Sequence, residues 1–351
     1  MPLRLPVRLA LPALFAAALL ASCSAAPPPV IAPPPPPPAP APTVSLSPKL
    51  VGMASAYRHY MVRTTGIAAD FADGQGVARS LQTGAAYEPA QMVRGAMAYA
   101  AVVALQDKSF VDGVRTYAKD RTQRQQVAYE ILKDPAYALG LPGAASAAGL
   151  VSAAIGGDGQ RLYDQGKAVK QAAYDIQRQP WSKVDVADRD DRLAGAKTLS
   201  SAAMLGDVAE TTRLQQAAQG AGGLDLTPAA AAAPYTPTVV RGLAIAALAA
   251  LGEAGDANVE TVLGLMNEPN VGRCMNMSKL NLYQCLAVAR PNYEDVFCLG
   301  QHAMMDTGRC MIKAAGLTEP VEAHFVPDAK SIARGYPAPK PPAKKKANRK
   351  S

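Results

Sequence analysis

Apolar residues recur every three to four positions along most of the chain after about residue 50, which is the spacing of an amphipathic α-helix. Between residues 89 and 105, for example, Met92, Ala96, Tyr99 and Val103 would share one helix face. No stretch of useful length alternates apolar and polar positions as a half-buried strand would. The pattern predicts an all-α fold, a multi-helix domain that ends in a disulfide-linked helical hairpin.

The same periodicity predicts further helices at 54–71, 109–133, 143–155, 160–179, 189–204 and 256–267. Asp134-Pro135 and Thr236-Pro237 each place a capping residue before a proline, a combination that starts helices. Gly74-Gln75-Gly76 lies between two predicted helices and is interpreted as a turn. The stretch 220–235 is rich in glycine, alanine and proline. It is a candidate boundary between an N-terminal helical part, residues 49–222, and a C-terminal part, residues 236–334.

Two segments of the first part resemble each other. Residues 126–135 match residues 171–180 at five identical positions, 45 residues later in the chain. This interval is typical of helical-hairpin repeats, whose units bury their faces by stacking. Helix-ending sequences in an alanine-rich chain also match by chance, so an irregular helical domain is the default and irregular hairpin repeats are the alternative.

The first 22 residues have the layout of a secretory signal peptide, with two arginines followed by an apolar run of about a dozen residues. That run is too short for a transmembrane helix. The four residues Leu20-Ala21-Ser22-Cys23 resemble the lipobox of bacterial lipoproteins. The resemblance implies that Cys23 is acylated, becomes the mature N-terminus and inserts in a lipid bilayer. Ser24 at the next position implies sorting to the outer membrane, with the protein facing the periplasm.

The anchor residue would be followed by a spacer, because residues 23–48 form a proline-rich linker that favours extended polyproline II structure. At the other end, residues 335–351 form a basic tail that cannot fold alone. Its cations are Lys340, Lys344, Lys345, Lys346, Arg349 and Lys350, with no acid among them.

The formal charge of +8 is accounted for by this tail and the two signal-peptide arginines, so the body of the protein is nearly neutral. This balance argues against a nucleic-acid partner. The tail would instead contact anionic envelope polymers, peptidoglycan or lipopolysaccharide, and a purely solubilising tail is the alternative.

Four cysteines lie within 37 residues near the C-terminus: Cys274, Cys285, Cys298 and Cys310. A clustered even number in an exported protein predicts two disulfides, for which three pairings are open. The turn sequence at 290–292 predicts a hairpin of helices 278–289 and 293–306, with Asn292 as the N-cap of the second. Near-equal distances from this turn favour nested bonds, Cys285 with Cys298 and Cys274 with Cys310. The twelve-residue interval in the second arm would put its cysteines on different faces unless Gly308 ends the helix.

No pair of these cysteines has the short spacing of a zinc site, so we expect no metal and no cofactor. His59, His302 and His324 lie in unrelated contexts, and no motif of a catalytic nucleophile or phosphate-binding loop occurs. We therefore expect a non-catalytic, outer-membrane-anchored lipoprotein that serves as a structural or adaptor component of the envelope. The alternative is a peptidoglycan-acting hydrolase with an unidentified carboxylate acid, for which Glu88, Glu130, Glu260 and Glu268 are candidates.

Overall fold

Helices joined by short connections make up almost all of the chain that the computed structural model describes, residues 40–227 and 231–322. Within these residues the only β-pairing consists of two isolated bridges, so the predicted all-α class is confirmed. The predicted signal peptide, Cys23, most of the proline-rich linker, His324 and the basic tail lie outside the described residues.

The α-helices are α1 (Pro48–Thr65), α2 (Gly74–Ala85), α3 (Pro89–Ala104), α4 (Lys108–Ala118), α5 (Arg121–Lys133), α6 (Ala144–Asp175), α7 (Arg189–Ser201), α8 (Val208–Ala218), α9 (Pro237–Leu251), α10 (Val259–Gly264), α11 (Pro269–Val288), α12 (Asn292–Cys298) and α13 (Thr307–Ala314). Short 3₁₀-helices cover Pro135–Gly140, Ile176–Arg178, Pro180–Lys183 and Asp256–Asn258. A π-helical segment, Leu299–Asp306, joins α12 to α13.

Aspartate caps decide several helix starts that periodicity alone misplaces. Asp73 accepts a hydrogen bond from the Gly76 main-chain nitrogen at 2.7 Å, so the predicted turn at 74–76 is wrong and these residues form the first turn of α2. Asp120 accepts from the Gln123 nitrogen at 2.7 Å and starts α5. The single helix predicted over 109–133 is therefore two helices, α4 and α5.

The start of α1 also lies earlier than predicted, because Ser47 caps the helix and Pro48 occupies its first position. The residues before it belong to the folded body and not to a free linker. The main-chain nitrogens of Ser45 and Ser47 donate to the carbonyls of Ala249 and Ala254 at 2.9 and 2.8 Å. The end of the predicted linker is thereby fixed against the end of α9.

Residues 144–175 form one helix, α6, where the periodicity predicts two. The glycines in its middle serve close packing and do not end it. A Cβ atom on Gly159 would lie 2.8 Å from the Gly308 carbonyl oxygen, and one on Gly166 would lie 2.8 Å from the Met304 Cβ. The π segment and α13 can approach the α6 main chain only because these positions are glycine.

The centre of the fold is built from alanine-rich helices. In α3 all residues from Gly95 to Ala104 are buried, and α9 is buried over almost its whole length. A Cβ on Gly242 would lie only 2.4 Å from the Ala100 Cβ, which shows how closely α9 and α3 approach. Helix α9 of the predicted C-terminal part thus packs on α3 of the predicted N-terminal part, and α1 packs on α3 as well.

Smaller differences between the predicted and the observed helices also depend on local caps and turns. Thr236-Pro237 starts a full helix, as predicted, whereas Asp134-Pro135 starts only a 3₁₀ turn. The predicted helix 256–267 shrinks to a 3₁₀ turn and the short α10. The two similar segments at 126–135 and 171–180 each end a helix and enter a 3₁₀ turn at or close to a proline, which accounts for their likeness.

The C-terminal hairpin contains both predicted disulfides in the nested arrangement. The inner disulfide joins Cys285 of α11 to Cys298 of α12, and the outer disulfide joins Cys274 of α11 to Cys310 of α13. Both arms are longer than predicted, and α12 begins at Asn292 with Pro291 at the N-cap position.

Candidate binding groove along α1

Two adjoining pockets lie beside α1, and together we call them the α1 groove. The first, of about 220 Å³, lies near the start of α1 and is lined by Lys49, Gly52, Met53, Ala56, Gln91, Arg94 and Met204. The second, also of about 220 Å³, lies near the end of α1 and is lined by Ala56, His59, Tyr60, Arg63, Thr64, Thr83, Ala86, Leu199, Ala202, Ala203, Met204 and Leu205. Ala56 and Met204 belong to both linings, so the two pockets are neighbours along α1.

The groove is completed by the segment 202–206 after α7, which we call the strap. Gln91 holds its first half, because its Oε1 accepts from the Met204 nitrogen at 2.8 Å and its Nε2 donates to the Ala202 carbonyl at 3.4 Å. Ser55 holds the far end by donating to the Asp207 carbonyl at 3.1 Å. The strap is therefore attached to both α1 and α3, and the groove is a formed feature of the fold.

The groove is positively charged. Its lining includes three cationic side chains, those of Lys49, Arg63 and Arg94, together with His59, and no carboxylate. Lys49 forms an ion pair at 2.7 Å with Glu260 outside the lining, but both side chains are at least half exposed. Such a pair contributes little and leaves Lys49 free to exchange partners. The groove is therefore suited to an anionic ligand.

The remaining lining is largely aliphatic. Met53, Met204 and Leu205 contribute flexible or branched apolar side chains, and Leu205 is 75% exposed. At the far end the Thr64 hydroxyl is buried. Apolar walls with a few polar groups are the usual composition of a binding site.

A second cluster of charged side chains lies in the interior and has a structural role. Asp158, which is 2% exposed, accepts from Arg58 Nη1 at 2.5 Å and from the Tyr57 hydroxyl at 3.2 Å, and it also pairs with Arg161. Burial, reinforced by Asp158, raises the pKa of Tyr57 well above its usual value, so this hydroxyl stays protonated and donates. Because both oxygens of Asp158 are engaged, this carboxylate fixes α1 to α6.

Sequence reasoning missed a buried lysine in the hairpin. Lys279 is 4% exposed; its Nζ donates to the Ala85 carbonyl at 2.6 Å and lies 3.4 Å from the centre of the Tyr87 ring. Desolvation lowers the pKa of this amine well below its usual range. Lys279 falls on the same buried stripe of α11 as Met275 and Leu282, which is the only trace of its burial in the sequence.

A buried amine of this kind can act as a nucleophile where a substrate reaches it. Lys279 is not part of the α1 groove lining, and its neighbours tie it into the interior. The Tyr87 hydroxyl hydrogen-bonds with Ser278 at 3.2 Å and with Thr307 at 2.9 Å. These bonds join α11 to α13 and to the loop before α3, so the cluster holds the hairpin on the body.

The serine, histidine and aspartate near this cluster do not form a catalytic triad. His302 Nδ1 lies 2.8 Å from Asp306 Oδ2, but the Ser278 hydroxyl donates to the main-chain carbonyl of His302 and not to its ring. A triad requires the hydroxyl to bond the imidazole. His59, by contrast, lies in the α1 groove.

The four candidate glutamates make structural contacts, and they lie outside the α1 groove. Glu88 caps α3 by accepting from two main-chain nitrogens, and Glu268 caps α11 by accepting from the Val271 nitrogen. Glu130 accepts from Gln126 at 2.8 Å on the same helix face, and Glu260 forms the exposed pair with Lys49. None of these four carboxylates lines the α1 groove.

The predicted site residues divide into two groups. The four late cysteines form the two disulfides, while Cys23 and the tail cations Lys340, Lys344, Lys345, Lys346, Arg349 and Lys350 lie outside the described residues. Across residues 40–227 and 231–322, no group of acidic, histidine or cysteine side chains is arranged to hold a metal ion. In the same ranges, none of the helices combines the length and apolarity needed to cross a bilayer.

Comparison with known proteins provides no relative: no family model, curated protein or solved structure matches the chain. The α1 groove was not predictable from local sequence, because the strap meets α1 from about 150 residues further along the chain.

Proposed function

We propose that this protein is a lipid-anchored component of the bacterial outer membrane, facing the periplasm, that acts as a structural or adaptor protein by binding and not by catalysis. The single observation that carries the binding role is the α1 groove, a formed surface with basic and aliphatic lining and no carboxylate. The anchor is supported by the lipobox-like sequence ending at Cys23, and export is supported by the two disulfides.

The anchor is tested by substituting the acylated residue. Radiolabelled fatty acid should enter the wild-type protein, and Cys23→Ala should abolish incorporation and release the protein from the membrane fraction. Because several acyl chains hold a protein in a bilayer far more strongly than one, the wild type should resist extraction by salt. Incorporation that persists in Cys23→Ala would remove the basis for the lipoprotein assignment.

The binding role is tested with purified full-length lipoprotein in detergent, incubated with isolated peptidoglycan sacculi. An adaptor should sediment with the sacculi and release no soluble fragments. Truncation after Pro339 removes the basic tail, so any sacculus binding that the tail provides should be lost in this variant. In the wild type, that part of the binding should weaken sharply as the salt concentration is raised. Release of soluble muropeptides by the wild type would instead establish the hydrolase.

The groove has a matched pair of variants. A Cβ atom on Gly52 would meet no atom within 4 Å, so Gly52→Leu should fill the first pocket without disturbing α1. Gly272 of α11 is equally open and lies away from the groove, so Gly272→Leu is the control. If the groove carries binding, tail-truncated protein should lose sacculus association with Gly52→Leu and keep it with Gly272→Leu.

A further inference from the structure

The basic side chains of the α1 groove occur in two pairs, one in each pocket. Lys49 and Arg94 line the first, and His59 and Arg63 line the second. The α1 residues in the middle of the two pockets, Gly52 and Tyr60, are eight positions apart, which corresponds to about 12 Å along a helix. Two anionic groups bound at the centres of the two pockets would be separated by roughly this distance.

The region between the two pairs is aliphatic. Ala56 and Met204 line both pockets, and Met53 and Leu205 lie to either side. Methionine side chains adapt to differently shaped apolar groups. The ligand segment between its charges should therefore carry small or aliphatic groups and no further charge.

We propose that the α1 groove binds an extended acidic peptide whose carboxylates stand about four residues apart, with small aliphatic residues between them. The distance of about 12 Å corresponds to about four residues of an extended chain at roughly 3.3 Å each. This assignment rests on the proposed binding function and specifies its ligand. A lipid surface fits less well, because membrane-binding helices insert protruding apolar side chains, whereas the basic side chains of this groove line a concave wall.

The test uses full-length lipoprotein in detergent micelles and a fluorescent peptide, Ala-Glu-Ala-Leu-Ala-Glu-Ala, followed by anisotropy. The control peptides replace both glutamates by glutamine or place them two residues apart. The first peptide should bind roughly tenfold more tightly than either control, and raised salt should weaken it. Arg63→Gln and Arg94→Gln should each weaken binding by roughly three- to tenfold. Gly52→Leu should abolish binding, and Gly272→Leu should leave it unchanged.

Equal binding of the glutamate and glutamine peptides, or wild-type affinity in Gly52→Leu, would overturn the proposal. Anionic and neutral phospholipid vesicles, offered to the Cys23→Ala protein without detergent, form a separate arm: if only the anionic vesicles bind, in a Gly52→Leu-sensitive manner, and the peptide does not compete, the ligand is a lipid. Sacculus association that depends on the groove, together with no peptide binding, would refute the acidic peptide and leave the adaptor function standing. Peptide binding accompanied by release of muropeptides would refute the non-catalytic adaptor function and leave the acidic peptide standing as the ligand of the groove.

Discussion

Lys279 should make the protein less stable at neutral pH than a methionine in its place. Its ammonium is taken out of water in the interior, where the Ala85 carbonyl and the Tyr87 ring contact it and the Glu88 carboxylate attracts it. Lys279→Met keeps the length of the side chain and removes the charge. The Ala85 carbonyl remains satisfied in the variant, because the Ser200 hydroxyl donates to it at 3.0 Å.

The expected difference in unfolding free energy between the wild type and Lys279→Met follows from contributions of opposite sign. The hydrogen bond from the charged amine stabilises by about 2 kcal/mol, and the contact with the desolvated Tyr87 ring by about another 2 kcal/mol. Desolvating an ammonium costs several kcal/mol even after relaxation. We therefore expect Lys279→Met to be more stable than the wild type at pH 7 by on the order of 1 kcal/mol, or about 2 to 4 °C in Tm.

The pH dependence of the wild-type stability tests this argument more sharply than the stability at a single pH. The folded-state pKa of Lys279 is lowered, so between that pKa and about 10.4 the unfolded state binds more protons. Stability of the wild type must then rise with pH, by at most about 1.4 kcal/mol per pH unit for one proton. Below the folded-state pKa both states are protonated, and the full penalty of burying the charge remains.

The assay is denaturant unfolding without reductant, followed by circular dichroism, at one-unit steps from pH 6 to 10. Subtracting the Lys279→Met profile from the wild-type profile cancels the titration of all other groups. The wild type should gain on the variant as pH rises. Lys167→Met, at an exposed position of α6, is the control and should give a flat difference. A flat difference for Lys279 too, or a wild type more stable by over about 1 kcal/mol at pH 7, would refute the desolvation argument.

Three further predictions concern packing and cross-links. Gly308→Ala should lower the free energy of unfolding by about 1 to 3 kcal/mol, since its Cβ would lie 2.7 Å from the Gly159 carbonyl oxygen; an unchanged Tm would contradict this. Gly52→Ala should raise the unfolding free energy by about 0.5 to 1 kcal/mol, because the new methyl meets open space in a helix; a lower Tm would contradict it. Serine substitution of the outer disulfide, whose cysteines are 36 residues apart, should lower the free energy of unfolding by about 4 kcal/mol. Serine substitution of the inner disulfide, whose cysteines are 13 residues apart, should lower it by about 3 kcal/mol. The reverse order would show that native-state packing outweighs chain entropy.

The helices themselves were largely predictable, because burial of an apolar stripe leaves a clear period in the sequence. Their ends depend on single side chains. Ser47 and Asp120 start helices through one hydrogen bond each, and periodicity averages over such positions. The continuity of α6 depends on contacts with residues about 150 positions away, which turn glycines that resemble breakers into packing positions.

The groove and the buried lysine were not predictable for a related reason. The strap lies about 150 residues after α1 in the chain, and no local pattern records which loop will cross which helix. Lys279 differs in that it leaves a trace, a charged residue on an otherwise buried stripe. The cysteines were predictable because pairing chemistry and distances from one turn restrict the arrangements to a few.

The π segment explains how the nested disulfides and the packing on α6 coexist. Twelve residues separate Cys298 from Cys310, which is about 3.3 turns of α-helix and would place them on different faces. The wider turn of Leu299–Asp306, with hydrogen bonds from residue i to i+5, takes up more residues per turn and returns Cys310 to the side facing α11. Both bonded pairs then have Cα atoms 5.7 Å apart. The same winding sets Gly300 against α6, where a Cβ would lie 2.5 Å from the Lys170 nitrogen. Rewinding this segment as α-helix would turn either the cysteine or the glycine away from its partner, so the disulfides and the α6 interface together select the π geometry.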